Sequence, residues 1–406
     1  MVPSLPNKQA GSLSVGTIIV LLVAMGQFNN TLFIPSLPHM RDPLGTTDAL
    51  LQLSVTLTLV SFGLSQLFYG PLSDYYGRRP VALTGLTIFF LGNLVCFLAT
   101  SGPVFLAGKI ITGLGVGCVG PVARAIARDM SHGKKLLKLM GILVMFMSIT
   151  PAISPMAGGA IQGFFGWRIN FATLCILALC FIACLYFMLP ETNENTRDEA
   201  NRFTLTRLVK NYRDIFSHGE FMRMALFNML GYAAELVFLL SASYILQDNF
   251  HLSPQQFGLV PLAIVPCVMA GNFIVSKLSS RFEVSTICTF GVLLILSGSL
   301  LMLVLSNMLP RAITSFIIPM MIVALGEGIV TPSSTARCMD LYGKKAGYAG
   351  AATGAIAMIG AGCVIGLSTL NPLRSALDIS VELLIISGLL LALCMMSFVR
   401  HNREKA

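Results

Sequence analysis

The sequence predicts an all-α membrane protein whose twelve transmembrane helices form two six-helix, pseudo-symmetric bundles. Three observations lead there. The 406-residue chain is 55% hydrophobic and only 11% charged, with a mean hydropathy of +0.79; a soluble domain carries about 25% charged residues. Apolar runs of about twenty residues, each able to cross roughly 30 Å of hydrocarbon as a helix, recur near 13–36, 49–70, 81–100, 102–125, 136–162, 170–189, 220–246, 255–276, 285–306, 311–333, 345–369 and 378–399. Finally, Leu114–Asp129, LGVGCVGPVARAIARD, returns at a constant offset of 211 as Leu325–Asp340, LGEGIVTPSSTARCMD, with seven identities in sixteen positions. Leu72-Ser73 answered by Leu278-Ser279 is a fainter echo of the same duplication. Two apolar halves of similar length are the signature of a membrane protein built from repeats. The halves are placed at 1–190 and 220–406, with a cytoplasmic linker at 191–219.

The net charge of +9 could suggest a nucleic-acid partner, so the distribution of the 27 Lys and Arg decides the matter. With the N-terminus inside, twenty-two fall in inner segments, four (Arg41, Arg168, Arg311 and Arg374) in outer loops, and Lys109 within a helix. This is the positive-inside asymmetry, and it predicts cytoplasmic N- and C-termini. No basic surface is left over for nucleic acid. The first apolar run is too long for a signal-peptide core and is read as a retained helix. The ten cysteines have no paired spacing and are expected to be packing residues, not disulfides or metal ligands.

Taken in order, the first helix carries Gln27, Asn29, Asn30 and Thr31 before the proline-marked stretch Phe33–Pro38. Uncharged amides in a span seek partners, so they either join helices or line a cavity. The inner loop Gly70–Pro80 combines turn-permitting Gly70 and Gly77 with Asp74, Arg78 and Arg79, and Pro80 suits the first turn of the next helix. Lys109, early in the fourth helix, needs a cavity, a partner or a route to the interface, because an ammonium in a span costs about 2.5–3.5 kcal/mol on insertion scales. Arg124, Arg128 and Asp129 reach the inner face. In the fifth helix, Pro151 and Pro155 bend the chain, and Gly158-Gly159 admit a close neighbour.

Within the linker, Leu205, Leu208, Val209, Tyr212, Ile215 and Phe216 share one helical face, with Arg207, Lys210 and Arg213 between them. That is a basic amphipathic helix suited to an anionic inner leaflet. The seventh helix places Glu235 in mid-span with Asn228 and Tyr232 on roughly the same face. The tenth places Glu327 inside the repeat, where the first half has Val116, so this acid is an addition to the scaffold. An ionisable group in mid-membrane is a functional candidate, here for proton binding; a structural carboxylate paired with Lys109 or an amide is the other reading. Gly362 and Gly366 form a small-xxx-small pair in the eleventh helix.

The pattern G-x-L-S-D-x-x-G-R-R at Gly70–Arg79 resembles the signature loop of the major facilitator superfamily. The resemblance implies two six-helix halves rocking about a central cavity, with Asp74 and Arg78 acting in a cytoplasmic latch between the halves, in a gate formed by Gly70, Asp74, Gly77, Arg78 and Arg79. Lys109 stands at a position similar to one where proton-coupled antiporters of that family carry arginine, and the run Pro151, Pro155, Gly158 and Gly159 resembles their antiporter signature, with Ser154 where glycine is usual. Together with Pro35-Ser-Leu-Pro38, Gly166–Phe171 and Leu189-Pro-Glu-Thr192, these stretches look like the bicyclomycin and chloramphenicol exporter group of drug:proton antiporters. One departure is that Thr31 stands where that group has a first-helix aspartate.

The expected function is therefore proton-coupled export of a small organic molecule or drug across a bacterial inner membrane by alternating access. Proton coupling is assigned to Glu235 and Glu327, and substrate binding to Asn29, Asn30, Thr31, Lys109, Asn228 and Tyr232. The chain has no G-x-S-x-G, phosphate loop or H-E-x-x-H, so no enzyme, cofactor or metal is expected. The expected partners are a small molecule, protons and membrane lipids around a monomer. Three alternatives stay open: a metabolite or siderophore transporter of the same fold, for which Asn29, Asn30 and Lys109 would favour a polar or anionic cargo; a multispanning membrane enzyme, which would require catalytic loops where the outer loops are short and carry few reactive groups; and a transport-inactive sensor or scaffold.

Overall fold

A computed structural model describes residues 8–131, 133–193, 204–310, 312–343, 346–370 and 375–405. Among these, twelve stretches are long and apolar enough to span a membrane: α1 (Gly16–Met40), α2 (Asp48–Tyr76), α3 (Arg78–Leu98), α4 (Gly102–Met130), α5 (Gly133–Phe165), α6 (Trp167–Met188), α7 (Gly219–Asn249), α8 (Pro254–Leu278), α9 (Val284–Met308), α10 (Thr314–Asp340), α11 (Gly347–Ser368) and α12 (Ala376–Met396). The described residues contain no strand. A linker helix, Leu205–Phe216, lies between α6 and α7, and linker residues 194–203 are outside the described residues.

Local chemistry sets the helix starts. Thr47 caps α2 by accepting from the Leu50 N–H at 3.3 Å, with Asp48 in the positive first turn. Ser253 and Gln256 form a reciprocal capping box at α8, with Pro254 in the first turn. Between α2 and α3 the chain turns on Gly77 at φ 102°, and between α5 and α6 on Gly166 at φ 85°, backbone that a side chain would strain. The fourth and tenth spans run on to Met130 and Asp340, past the ends of their apolar runs, because amphipathic turns bearing Arg124, Arg128 and Arg337 continue the helix beyond the hydrocarbon. The fourth is interrupted by a turn at Gly117-Cys118; the tenth is continuous.

The packing repeats with a step of six helices. In the first half α1 packs against α4, α5 and α6, α2 against α4, and α3 against α4 and α6. In the second, α7 packs against α10, α11 and α12, α8 against α10, and α9 against α10 and α12. Two long seams join the halves, α2 with α11 and α5 with α8, and the same step of six exchanges them. The halves are therefore related by a pseudo-twofold.

The repeated G-x-G shows what the duplication preserves. A side chain added at Gly115 of α4 would stand 2.8 Å from the Gly85 carbonyl of α3, and one at Gly326 of α10 would stand 2.5 Å from the Gly291 carbonyl of α9. The second glycine of each pair faces the other neighbour: Gly117 meets Gln66 of α2, and Gly328 meets Val268 of α8. Each glycine pair thus lets its helix touch two helices of its own half at backbone distance.

Candidate functional site

The two ends of the molecule differ. One, the linker end, carries the Gly70–Pro80 loop and the linker helix; the other, the far end, carries the Pro35–Pro38 turn. Between them, Glu235 of α7 and Glu327 of α10 bring their carboxyls face to face at hydrogen-bonding range. Gly231, one turn before Glu235, lies against α10 beside both Thr331 and Glu327: a Cβ there would stand 3.2 Å from Thr331 Oγ1 and 3.6 Å from Glu327 Cγ. Glu235 is partly buried and Glu327 buried, and Glu327 Oε2 finds no hydrogen-bond partner among the described residues.

Tyr232, on the same face of α7, lies near both acids and near the Asn30 side chain of α1, whose Nδ2 finds no hydrogen-bond partner among the described residues. Asn29 Nδ2 donates to Asn30 Oδ1 at 3.3 Å. The amides and the acids predicted from different halves therefore meet in one polar cluster on the α1, α7 and α10 side of the interior. Asn228 lies further along α7 and braces the α7–α10 seam, donating to Thr335 Oγ1 at 2.5 Å.

Two predicted binding residues stand apart. The Thr31 hydroxyl donates to the Gln27 carbonyl of its own helix at 3.2 Å. Lys109 is completely buried inside the first half, its ammonium 3.7 Å from the Phe33 ring centroid and 5.9 Å from that of Phe171, with no hydrogen-bond partner among the described residues. It neither snorkels nor meets an acid; the π faces of two rings take the place of a counter-charge.

The signature loop is braced inside the first half. Arg78 pairs with Asp74, donates its Nε to Asp129 at 2.9 Å, and donates to Ser73 Oγ at 2.8 Å. Glu191 caps the start of α3, accepting from the backbone N–H of Arg78 at 2.8 Å and of Arg79 at 3.1 Å. Arg79 donates to the Tyr186 carbonyl, while Gly70 has open space around it and Gly77 faces Glu191. The latch between the halves that the resemblance implies differs from this arrangement: the Asp74–Arg78 pair, with Asp129, joins α2, α3 and α4 of the first half.

The two halves meet tightly at the far end. Ser243 Oγ of α7 donates to the Ile34 carbonyl at 2.7 Å, and Gln247 Nε2 donates to the Pro35 carbonyl at 3.1 Å. The helix with Pro151 and Pro155 uses its glycines on two fronts: Gly158 faces the Leu32 backbone of α1, and Gly159 faces Pro254 of α8. Ser154 Oγ adds a hydrogen bond to the Phe28 carbonyl at 3.4 Å. At the linker end the inner part of α4 and the end of α2 both pack on α11, and no seam between α4 and α10 is found among the described residues. Ser243 and Gln247 were not singled out in the sequence, although a glutamine inside an apolar span is the same signal that drew attention to Asn29. Glu382 of α12, which accepts from Ser368 of α11, was missed likewise.

Residues 19–367 match the Major Facilitator Superfamily. The chain belongs to that superfamily. It is 29% identical over 387 residues to Multidrug resistance protein D of Escherichia coli (strain K12), covering 95% of this chain and 96% of that one. It is 31% identical over 189 residues to Multidrug resistance protein MdtL of Shigella dysenteriae serotype 1 (strain Sd197), covering 44% and 48% of the two chains. Among solved structures, a D-xylose-proton symporter superposes with a TM-score of 0.73 at 15% identity over 93% of this chain and 97% of that one. The human organic anion transporter MFSD10 gives 0.67 at 17% identity over 95% and 100%. At these identities the structural likeness speaks for the fold alone. This facilitator is a multi-pass membrane transporter with bacterial relatives.

Proposed function

We propose that the chain exports small organic molecules in exchange for protons across a bacterial inner membrane, with both termini and the linker end in the cytoplasm. The observation that carries this reading is the facing pair Glu235 and Glu327. Two carboxyls at that range in a low dielectric repel too strongly to be ionised together, so the pair holds a shared proton. Cargo arriving beside the pair displaces that proton, and reprotonation from the other side expels the cargo. The sign asymmetry of the loops supports the orientation, and the names of the multidrug-resistance relatives support an organic cargo.

The surroundings of the pair favour one charge class. The partners at hand are Tyr232, Asn30 and Asn29, and none is a cation. Lys109, which would favour an anion, is enclosed by aromatic rings. Cationic or neutral amphipathic cargo is the better fit.

Everted vesicles under an imposed pH gradient test the mechanism, comparing the parent chain with Glu235→Gln and Glu327→Gln on a panel of cationic, neutral and anionic dyes. Loss of proton-driven dye accumulation in both variants is expected. Undiminished transport by both removes the pair from the coupling, and preferential transport of anions overturns the charge assignment.

A further inference from the structure

The linker helix carries more apolar surface than its docking uses. Leu208, Tyr212 and Ile215 are buried against the bundle. The Tyr212 hydroxyl donates to the Leu67 carbonyl of α2 at 2.9 Å, and its ring meets that of Tyr348 of α11 edge-on at 5.5 Å. One side chain thus touches both halves at the linker end. From beyond α10, the Tyr342 hydroxyl donates to the Asp214 carbonyl at 3.2 Å and fixes the other edge of the helix.

Winding at 3.6 residues per turn places Leu205, Val209 and Phe216 directly beside the docked trio, yet these are 61%, 57% and 37% exposed. Next around the helix come Arg213 and Lys210. An exposed apolar strip bordered by cations is unsuited to water and matched to the boundary between acyl chains and anionic headgroups. The position agrees: the helix sits where α6 ends at Met188 and α7 begins at Gly219, at the edge of the spanning region.

We infer that the linker helix is an anionic-phospholipid binding site, with Leu205, Val209 and Phe216 in the acyl boundary and Lys210 and Arg213 on the headgroup phosphates. Through Tyr212, lipid occupancy braces α2 against α11 and holds the linker end in the arrangement seen here. Vesicle lipid composition then becomes a regulator of the transporter, whatever its cargo. An acidic protein partner would satisfy the cations but leave the apolar strip in water, so lipid is the occupant that fits both.

Hydrogen exchange of the full chain in nanodiscs tests this without a substrate, comparing phosphatidylcholine alone with a mixture containing phosphatidylglycerol. The anionic lipid is expected to slow exchange in residues 205–216 and at the linker ends of α2 and α11. Removing two interfacial charges in Lys210→Gln/Arg213→Gln should abolish that slowing, each charge being worth about fivefold in lipid affinity. Tyr212→Phe, which keeps the ring, should retain the protection of 205–216 and lose it at α2. Equal exchange in the two lipids for the parent chain, or the same slowing in the double variant, overturns lipid binding. Undiminished protection at α2 in Tyr212→Phe overturns the coupling between halves.

Discussion

Asp129 and Asp340 close the two copies of the repeated segment, and each receives an arginine, but from different places. Asp129 accepts from Arg78 of the neighbouring helix at 2.9 Å, whereas Asp340 accepts from Arg337 of its own helix at 3.2 Å. The Arg78 side chain is 10% exposed and that of Arg337 is 37% exposed. The duplication kept the acid and reassigned its partner.

Unequal costs follow for the two arginines. Arg78→Ala strands two carboxylates and a serine hydroxyl and should lower stability by about 2 kcal/mol. Arg337→Ala removes the more solvated pairings with Glu220 of α7 and with Asp340 and should cost about 0.5–1 kcal/mol. Thermal unfolding of the purified variants in one detergent orders them; equal melting points would contradict the assignment.

Glu191 should matter more than its exposed position suggests. Its carboxylate satisfies the N–H groups of Arg78 and Arg79 and, through Oε1, those of Thr192 and Asn193 at 3.0 Å each. Glu191→Gln keeps one acceptor oxygen and loses the charge at a helix start, so a loss of about 1 kcal/mol is expected. The same melting assay reads it.

Glycines predict a contrast within one chemistry. Gly115→Ala and Gly326→Ala push a methyl into a neighbouring backbone and should each cost about 1–3 kcal/mol or block folding. Gly388→Ala, in α12 with open space around it, should be neutral or stabilising by up to about 1 kcal/mol. Expression level and melting point of the three variants decide it.

The far-end seal offers a conformational test. Gln247→Ala deletes one hydrogen bond between the halves, worth about 1 kcal/mol, and should raise the population open at that end about fivefold. Spin-label distances between the far ends of α5 and α8 report the shift, and an unchanged distribution would show that Gln247 does not hold the seal.

The twelve spans and the duplication were legible because they are properties of composition along the chain: apolar runs and a spaced G-x-G survive without knowledge of neighbours. Glu235 and Glu327 were legible as separate costly charges. Their meeting was not, because it depends on how α7 crosses α10. Lys109 shows the limit most clearly. The sequence offered it a cavity, an acid or the interface, and the fold gave it Phe33 of α1 and Phe171 of α6. Which rings from distant helices converge on a side chain is written in tertiary packing, not in periodicity. The linker helix was recognised from its spacing, but its division between bundle and open surface rests on Tyr212 finding Leu67 and Tyr348.

The seam between α5 and α8 has a consequence for what the joint can tolerate. Where Gly159 opposes Pro254 and Gly258 opposes Pro155, the two halves press backbone against backbone with no side chain between them. Any residue larger than glycine at either place would wedge the halves apart, so this joint admits no conservative replacement.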